Sequence, residues 1–332
     1  MKYQQVINHL LFSNHDNTPL NVKSKYLKHG KGSPTLQVIF HEITDDSIEL
    51  TDGTKKLKLI QKKLPHTHRI GKEISTYRIF HSIGGKRNIT EAFVRHPEIY
   101  SIDEYDNEIN VFMEYAEGKK LSVTNDNAYN LGLMLGKMSL EYGEIFPDDY
   151  PFHKGRTSGK WFTKDDDIIF AIMKNTKKTE NALKTIKKLY ELEPIITKWK
   201  NEAKRVLCHN DFKNANAVVA DSKGINGQIL YILDWASTGY DTIGSDIGGV
   251  FFNNHFDKLE MNQESHSVEI KLYSGYLSSL GLQHSKANLE EIQVVANLHF
   301  AVRFGSWAIR SKNKKLLERS ILRAEQVVKS FE

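Results

Sequence analysis

The fold is decided by one stretch of the sequence, His209-Asn210-Asp211-Phe212-Lys213-Asn214-Ala215-Asn216. A second carboxylate, Asp234, follows a short apolar run at 231–233 that is typical of a strand. Phosphoryl transfer from a nucleotide needs such oxygen atoms on rigid strand ends, because the chemistry depends on positioning and on charge neutralisation. The pattern therefore predicts Asp211 as the group that accepts the proton of an acceptor hydroxyl. It predicts Asn216 and Asp234 as ligands of Mg²⁺.

Residues 209–216, joined to Asp234 and Trp235, resemble the catalytic core of the aminoglycoside phosphotransferase and choline kinase family. Two details separate the pattern from protein kinases proper: Asn210 replaces an Arg, and Trp235 replaces the Phe-Gly that would follow the second Asp. The resemblance implies an α+β, protein-kinase-like two-lobed fold. A small N-terminal lobe (residues 1–115), an antiparallel sheet with one helix, binds the nucleotide. A larger, mainly helical C-terminal lobe (residues 116–332) carries the catalytic and acceptor-binding groups.

Length and composition fit this interpretation. The 332 residues suffice for two lobes, and 39% apolar with 26% charged residues is ordinary for a globular protein. The net charge of +5 is spread along the chain without a basic, aromatic-rich run, so we predict no nucleic-acid partner. No signal peptide and no apolar stretch of about 20 residues is visible, which predicts no membrane partner and a cytoplasmic location. The single cysteine, Cys208, is predicted to be a buried strand residue rather than a nucleophile.

Near the N-terminus, Gly30, Gly32 and Ser33 lie between two β-like runs. Glycines in such a hairpin allow backbone amides to approach phosphates. The resemblance places the loop that covers the nucleotide at this point. These three residues are therefore predicted to bind the nucleotide.

The strand predicted over residues 56–64 should carry the lysine that the family uses to bind the α- and β-phosphates. The family usually has an apolar residue two positions before this lysine, so Ile60 favours Lys62. Lys63 remains the alternative, because a register slip of one residue exchanges the two faces of a strand.

Apolar residues at positions 70, 74, 77 and 80 predict an amphipathic helix. Glu73 lies in its first two turns, where the resemblance implies a carboxylate that pairs with the phosphate-binding lysine. Further along, Glu114 and Ala116 match the segment of the family whose backbone groups bind adenine, so they are assigned to the nucleotide by position.

The remaining candidates surround the catalytic stretch. The resemblance makes His209 and Asp246 structural supports of the site, with Asp246 ordering the catalytic loop. Trp161 lies in a turn-rich segment on the predicted acceptor side. Arg303 and Trp307 belong to an aromatic-rich helical segment that could line the acceptor pocket.

These features predict a kinase that transfers the γ-phosphoryl group of ATP, with GTP as the alternative nucleotide, to a hydroxyl of a small metabolite or antibiotic-like acceptor, with Mg²⁺ as cofactor. A protein Ser/Thr kinase is one alternative, but the interval from Asp234 to Asp246 is too short for a long regulatory loop. The other alternative is a non-catalytic nucleotide-binding regulatory module.

The identity of the acceptor is left open by the sequence. Residues 246–332 have about as many basic as acidic residues, which argues mildly against a polycationic aminoglycoside, whereas Trp161 and Trp307 would suit a quaternary ammonium. The two tryptophans could equally be core residues, and a sugar, a nucleoside-like metabolite or a hydroxylated secondary metabolite fits no worse. The sequence does not predict the oligomeric state.

Overall fold

The computed structural model of the protein describes residues 21–27, 35, 37–44, 56–66, 71–83, 94–147, 177–221, 228–252 and 263–332. The predicted nucleotide-loop residues Gly30, Gly32 and Ser33, and the acceptor candidate Trp161, lie outside these ranges. The chain groups into two compact units, Met1–Lys119 with Val218–Ala236, and Lys120–Ala217 with Ser237–Glu332. The predicted domain boundary between residues 115 and 116 stays a prediction.

The described ranges form eleven strands and eight α-helices. The strands are β1 (Asn21–Leu27), β2 (Gln37–Thr44), β3 (Lys56–Pro65), β4 (Val94–Arg95), β5 (Ile99–Glu104), β6 (Glu108–Glu114), β7 (Lys119–Lys120), β8 (Arg205–Cys208), β9 (Ala217–Asp221), β10 (Gln228–Ile232) and β11 (Gly239–Thr242). The helices are α1 (Gly71–Ile83), α2 (Ala128–Gly143), α3 (Lys177–Glu191), α4 (Glu193–Glu202), α5 (Ser245–Val250), α6 (Gln263–Ser279), α7 (Lys286–Ser311) and α8 (Lys314–Phe331).

The first unit is built on a five-stranded sheet with the order β1-β2-β3-β6-β5, in which all neighbours are antiparallel. Alternation along β3 places Leu57 and Leu59 on one face of the sheet, where they pack with Ile43 in a buried apolar cluster. The same alternation turns Lys62 to the opposite face. A second sheet has the order β4-β10-β9-β7, and its β10 runs parallel to β4.

The predicted amphipathic helix is confirmed as α1. Its residues Ile74, Tyr77 and Phe80 are buried, as the apolar spacing required, and the helix packs against β5. Glu73 is also buried although it is charged, which calls for a partner of opposite charge.

The second unit is mainly helical. Helix α2 packs against α6, and α7 packs against α8 and α5. A buried polar cluster joins three of these helices: Arg323 of α8 donates to Glu269 of α6 at 2.6 Å and to Asn297 of α7 at 2.9 Å. Arg323 also lies over the ring of Phe251, 4.0 Å from its centroid. The cluster fixes the orientation of α7, the helix that carries Arg303.

A two-stranded antiparallel ribbon, β8 with β11, supports the stretch 209–216 that follows β8. Asp241 of β11 is buried and forms an ion pair with Lys200 of α4 at 3.0 Å. The predicted fold class is confirmed, since an antiparallel-sheet region with a helix is followed by a mainly helical region. Across the parts of the chain that the structure describes, every helix is too short or too polar to cross a membrane.

Candidate active site

In the first unit, β3 and α1 hold Lys62 in a mostly buried, charged setting, with 12% of its side chain exposed. Its Nζ forms an ion pair with Glu73 and lies 3.3 Å from both the Tyr77 hydroxyl and Oδ1 of Asp234. The Tyr77 hydroxyl also donates to Glu73 at 3.0 Å. Burial alone would lower the pKa of Lys62, but these three neighbours outweigh burial and raise the pKa well above its ordinary value. Lys62 therefore stays charged at neutral pH.

The neighbouring Lys63 has a different environment. Its side chain belongs to the opposite face of β3, and its Nζ lies 3.2 Å from Glu108. The structure thus pairs Lys62, and not Lys63, with the helix carboxylate of Glu73. The phosphate-binding role of Lys62 stays a prediction.

Asp234 follows β10 in a left-handed backbone conformation with φ of 61°, which is unusual for a residue other than Gly. Its neighbour Trp235 is buried, donates from its indole N–H to Ile232 O at 2.7 Å, and packs edge-on against Phe80. These contacts hold the turn, while the Asp234 side chain remains 46% exposed. An exposed carboxylate on a fixed backbone is suited to binding a cation.

Glu114 and Ala116 lie at and just after the end of β6. The Glu114 carboxylate forms an ion pair with Arg95 and accepts hydrogen bonds from the Tyr231 hydroxyl at 2.7 Å and the Glu98 amide at 3.1 Å. The Glu114 amide donates to Glu98 O at 2.8 Å. The side chain and the amide of Glu114 therefore have hydrogen-bond partners within the unit. The assignment of Glu114 and Ala116 to nucleotide binding rests on their position in the sequence and stays a prediction.

In the second unit, the loop over residues 209–216, which carries the predicted base Asp211, begins after β8. The buried Asp246 carboxylate accepts the amide N–H of His209 at 2.7 Å and that of Asn210 at 2.8 Å. Asn210 has φ of 62°, and its side chain donates to Cys208 O at 3.3 Å and to Gly239 O at 3.1 Å. Asparagine tolerates this left-handed conformation better than most residues, which explains its place here.

His209 and Asp246 both act on the loop backbone. The His209 side chain is fully buried, and its Nδ1 accepts the Asp211 amide at 3.3 Å. Burial raises the pKa of Asp246 to about 7, although the two amide hydrogen bonds oppose the shift. Burial likewise raises the pKa of the Cys208 thiol well above its ordinary value, which leaves it unsuited to nucleophilic attack. Cys208 is a buried strand residue, as predicted.

The Asp211 carboxylate is surrounded by donors. Its Oδ1 lies 3.1 Å from Nη2 of Arg303, and its Oδ2 lies 2.8 Å from Nζ of Lys213 and 3.2 Å from Nδ2 of Asn216. Burial would raise the pKa of Asp211, but the charges of Arg303 and Lys213 outweigh burial and hold the pKa below its ordinary value. Asp211 is therefore ionised at neutral pH.

Asn216 ends a short 3₁₀ turn that spans Asn214–Asn216. Its Nδ2 donates to the Asp211 backbone oxygen at 3.0 Å as well as to the Asp211 carboxylate. These two bonds fix the orientation of the amide, so that Oδ1 is the atom left for a cation.

Two acceptor candidates lie one helical turn apart on α7. Arg303 is 36% exposed and also donates to Ser237 Oγ at 3.0 Å. Trp307 is 41% exposed, and its ring packs edge-on against Phe252 with centroids 5.3 Å apart. The structure thus combines a cation and an exposed aromatic surface on one helix.

The structure groups the predicted residues within each unit. The first unit brings together Lys62, Glu73 and Asp234. The second brings together five predicted residues: Asp211, Asn216, His209, Asp246 and Arg303.

Two contacts were missed by the sequence analysis. Lys213 lay within the quoted stretch, but no periodicity shows that its side chain turns back to Asp211. Tyr77 was counted only as an apolar position of α1. Its spacing of four residues from Glu73 was the signal that could have revealed their contact.

Within the described ranges, no group of three or more His, Cys, Asp or Glu side chains is arranged to hold a metal ion. A site made of protein side chains alone is therefore not found there.

The sequence model described as the phosphotransferase enzyme family matches residues 43–264. No curated protein sequence gave a significant match.

Solved structures resemble the chain over nearly its whole length. Choline kinase from Cryptosporidium parvum Iowa II gives a TM-score of 0.56 at 14% identity, covering 99% of this chain and 95% of its own. The GDP complex of an aminoglycoside 2'-phosphotransferase IIIa mutant gives 0.56 at 11% identity, covering 99% and 98%. An amicoumacin kinase in complex with AMP-PNP and Ca²⁺ gives 0.54 at 12% identity, covering 91% and 88%. At these identities the likenesses show the fold, which is protein-kinase-like.

Proposed function

The chain belongs to the phosphotransferase enzyme family, and from this premise we propose that it transfers the γ-phosphoryl group of ATP to a hydroxyl of a small molecule with Mg²⁺ as cofactor. The family match and the fold support a small-molecule phosphotransferase. ATP, Mg²⁺ and the hydroxyl acceptor are the finer parts of the proposal. That a structural relative was solved with AMP-PNP and Ca²⁺ supports a nucleotide and a divalent metal.

The observation that carries the proposal is the setting of Lys62. A mostly buried lysine that remains charged, paired with the buried Glu73 and 3.3 Å from the exposed Asp234, is suited to binding an anionic ligand. Nucleotide phosphates are such a ligand, because the lysine can bind their oxygens while Glu73 fixes its rotamer.

Asp234 and Asn216 are the proposed ligands of Mg²⁺. Asp234 offers an exposed carboxylate, and Asn216 offers the Oδ1 atom that its hydrogen bonds to Asp211 leave free. When bound, Mg²⁺ would neutralise phosphate charge during transfer.

Asp211 is the proposed base. The oxygen of the acceptor hydroxyl forms a bond to the γ-phosphorus, the bond from that phosphorus to the β,γ-bridging oxygen of the nucleotide breaks, and the hydroxyl proton passes to Asp211. ADP leaves with the bridging oxygen. Asp211 is ionised and held by the loop that His209 and Asp246 order, so it can orient the hydroxyl before transfer.

The experiment that tests the proposal measures ADP formation with Mg²⁺ and ATP, or GTP, across a panel of hydroxylated small molecules. Asp211→Asn should lose roughly 10²- to 10⁴-fold of the acceptor-dependent rate, because it removes general-base help. Asp126→Asn, an exposed position in the turn before α2, is the matched control and should keep the wild-type rate.

Nucleotide binding is measured in parallel by calorimetry. ATP binding without any turnover above the Asp211→Asn level would replace the proposal with a non-catalytic nucleotide-binding module. Phosphorylation of Ser or Thr in peptides, without transfer to small molecules, would replace it with a protein kinase.

A further inference from the structure

Both oxygens of the Asp211 carboxylate already have donors. Oδ1 is used by Arg303, and Oδ2 is used by Lys213 and Asn216. A base must come within hydrogen-bond distance of the hydroxyl whose proton it takes. These donors use three of the roughly four lone-pair sites of the carboxylate, and the remaining site is on Oδ1 beside Arg303. An acceptor hydroxyl therefore approaches Asp211 next to Arg303 or replaces it.

Arg303 is the donor that can leave most readily. Lys213 and Asn216 belong to the same loop as Asp211, and Asn216 is anchored further through the Asp211 backbone oxygen. Arg303 comes from α7 and is 36% exposed. Its polar contacts with the described residues, to Asp211 and Ser237, all use Nη2. Nη1 and Nε therefore remain for a ligand, and guanidinium binds planar oxyanions through two parallel hydrogen bonds.

The charges around Asp211 favour an anion. One carboxylate faces two cations, Arg303 and Lys213, and it becomes neutral when it takes the acceptor proton. The two other buried carboxylates of this part of the unit do not compensate. Asp241 is paired with Lys200, and Asp246 is used by the loop amides. Among the protein's own groups, positive charge is therefore in excess beside Asp211 before nucleotide and acceptor bind.

We propose that Arg303 recognises a carboxylate or phosphate group on the acceptor, and that binding of this oxyanion draws Arg303 away from Asp211 Oδ1, which the acceptor hydroxyl then occupies. This inference rests on the proposed phosphoryl transfer and names the class of its substrate, an anionic hydroxy compound. Trp307, exposed one turn beyond Arg303, offers the carbon skeleton of the acceptor an apolar surface. The bonds made and broken are those of the proposed transfer, and Arg303 exchanges one oxyanion for another.

The test compares matched acceptors: hydroxy acids and phosphorylated sugars, each paired with its carboxamide or dephosphorylated form. Choline and an aminoglycoside are included as cations. The wild type should phosphorylate the acid of a pair with kcat/KM at least about tenfold above the neutral partner. The carboxylate and phosphate arms of the panel identify which oxyanion is used.

Arg303→Gln should change the reaction rates with the two kinds of acceptor in opposite directions. For the acid, kcat/KM should fall roughly 10- to 100-fold, mainly through KM, because a charge-assisted hydrogen bond is lost. For the neutral partner, and for hydrolysis of the nucleotide by water, the rate should rise at least about twofold, because Oδ1 of Asp211 is freed. Arg303→Lys keeps the positive charge but loses the planar guanidinium group. This variant should therefore still prefer the acid, with a smaller ratio of the two kcat/KM values.

Arg310→Gln changes an exposed arginine of the same helix and should leave all rates unchanged. Circular dichroism and thermal unfolding establish that each variant is folded. Should Arg303→Gln fail to fold, the acid preference of Arg303→Lys, compared with wild type, carries the test.

Three outcomes separate this inference from the proposed function. Equal or better use of neutral or cationic acceptors by the wild type overturns the inference while the phosphotransfer remains. An equal fall for acid and amide in Arg303→Gln also overturns it, because Arg303 would then act on the transferred phosphoryl group. When nucleotide hydrolysis is the only turnover seen, a higher rate in Arg303→Gln supports the inference and an unchanged or lower rate overturns it. Absence of any turnover in the wild type removes the proposed function and the inference with it.

Discussion

The Nζ atom of Lys62 lies 3.3 Å from Oδ1 of Asp234, although 172 residues separate the two in the sequence. Both belong to the first unit, because residues 218–236 return to it after the first segment of the second unit. The contact joins a mostly buried lysine to an exposed carboxylate, while Glu73 provides the lysine with a second, buried partner. Lys62 therefore keeps one partner when a ligand competes for the other.

This geometry distinguishes the two adjacent lysines of β3. Lys62→Met should lower kcat/KM for the nucleotide roughly 100-fold, since it removes a buried charge at the proposed phosphate site. Lys63→Met removes an ion pair with Glu108 on the opposite face and should change kcat/KM less than about threefold. Steady-state kinetics with varied ATP, on protein shown to be folded by circular dichroism, measures both. An equal or larger loss in Lys63→Met would assign the phosphate to Lys63.

Asp246 should make stability depend on pH. Burial raises the pKa of Asp246 in the folded protein to about 7, whereas the pKa of an aspartate in an unfolded chain is about 4. The folded state therefore binds the proton more tightly, and the stabilisation by this group is full below about pH 4 and is lost as pH rises through about 7. Relative to Asp246→Asn, which has no such titration, the free energy of unfolding of the wild type should fall by roughly 2 kcal/mol from pH 5 to pH 8.

Urea denaturation of the wild type and Asp246→Asn at several pH values measures this difference. The exposed Asp126→Asn is the control, and its difference from the wild type should not vary over the same range. A difference that grows toward pH 8 would contradict the prediction. It would mean that the amide hydrogen bonds from His209 and Asn210 outweigh burial and keep the carboxylate ionised.

Local features of the fold could be predicted from the sequence because their apolar residues recur at a regular spacing. The helical spacing of apolar residues predicted α1, and the run 56–64 predicted the strand observed as β3. The pairing of Lys62 with Glu73 was predicted from the family resemblance, and the two side chains are in contact in the structure.

Long-range contacts had no comparable signal. Arg303 contacts Asp211 from α7, a helix that the buried Arg323 cluster joins to α6 and α8, so the contact depends on the packing of several helices. The parallel pairing of β10 with β4 also joins distant segments through backbone hydrogen bonds, which carry no side-chain pattern. The left-handed backbone of Asn210 and Asp234 is likewise a product of the surrounding contacts.

The buried pair of Arg323 and Glu269 should be important for stability. Arg323→Ala leaves the Glu269 carboxylate buried without its cation, and the free energy of unfolding should fall by about 3 to 5 kcal/mol. Glu290→Ala breaks an exposed ion pair with Lys286 and should cost at most about 0.5 kcal/mol. Urea denaturation of both variants measures the contrast.

The double variant Arg323→Met with Glu269→Leu provides the check on the physical reason. Because it removes both charges and fills the space, it should recover part of the stability lost by Arg323→Ala, although the buried Asn297 oxygen and Tyr273 hydroxyl lose a partner. A double variant as unstable as the single one would show that the unpaired carboxylate is not the main cause of the loss.

Gly249 should be required for the geometry of the catalytic loop. A Cβ atom at position 249 would overlap the backbone carbonyl of Phe212, the residue that directly follows Asp211. Gly249→Ala should therefore displace the loop and lower kcat at least tenfold, since a shift of about 1 Å in a catalytic group can cost roughly 100-fold. Gly143→Ala at the end of α2, where a Cβ meets nothing within 4 Å, should leave kcat unchanged. Nucleotide affinity measured by calorimetry should be retained in both variants, because the proposed phosphate-binding Lys62 lies in the other unit. A wild-type kcat in Gly249→Ala would mean that the loop absorbs the overlap without moving Asp211.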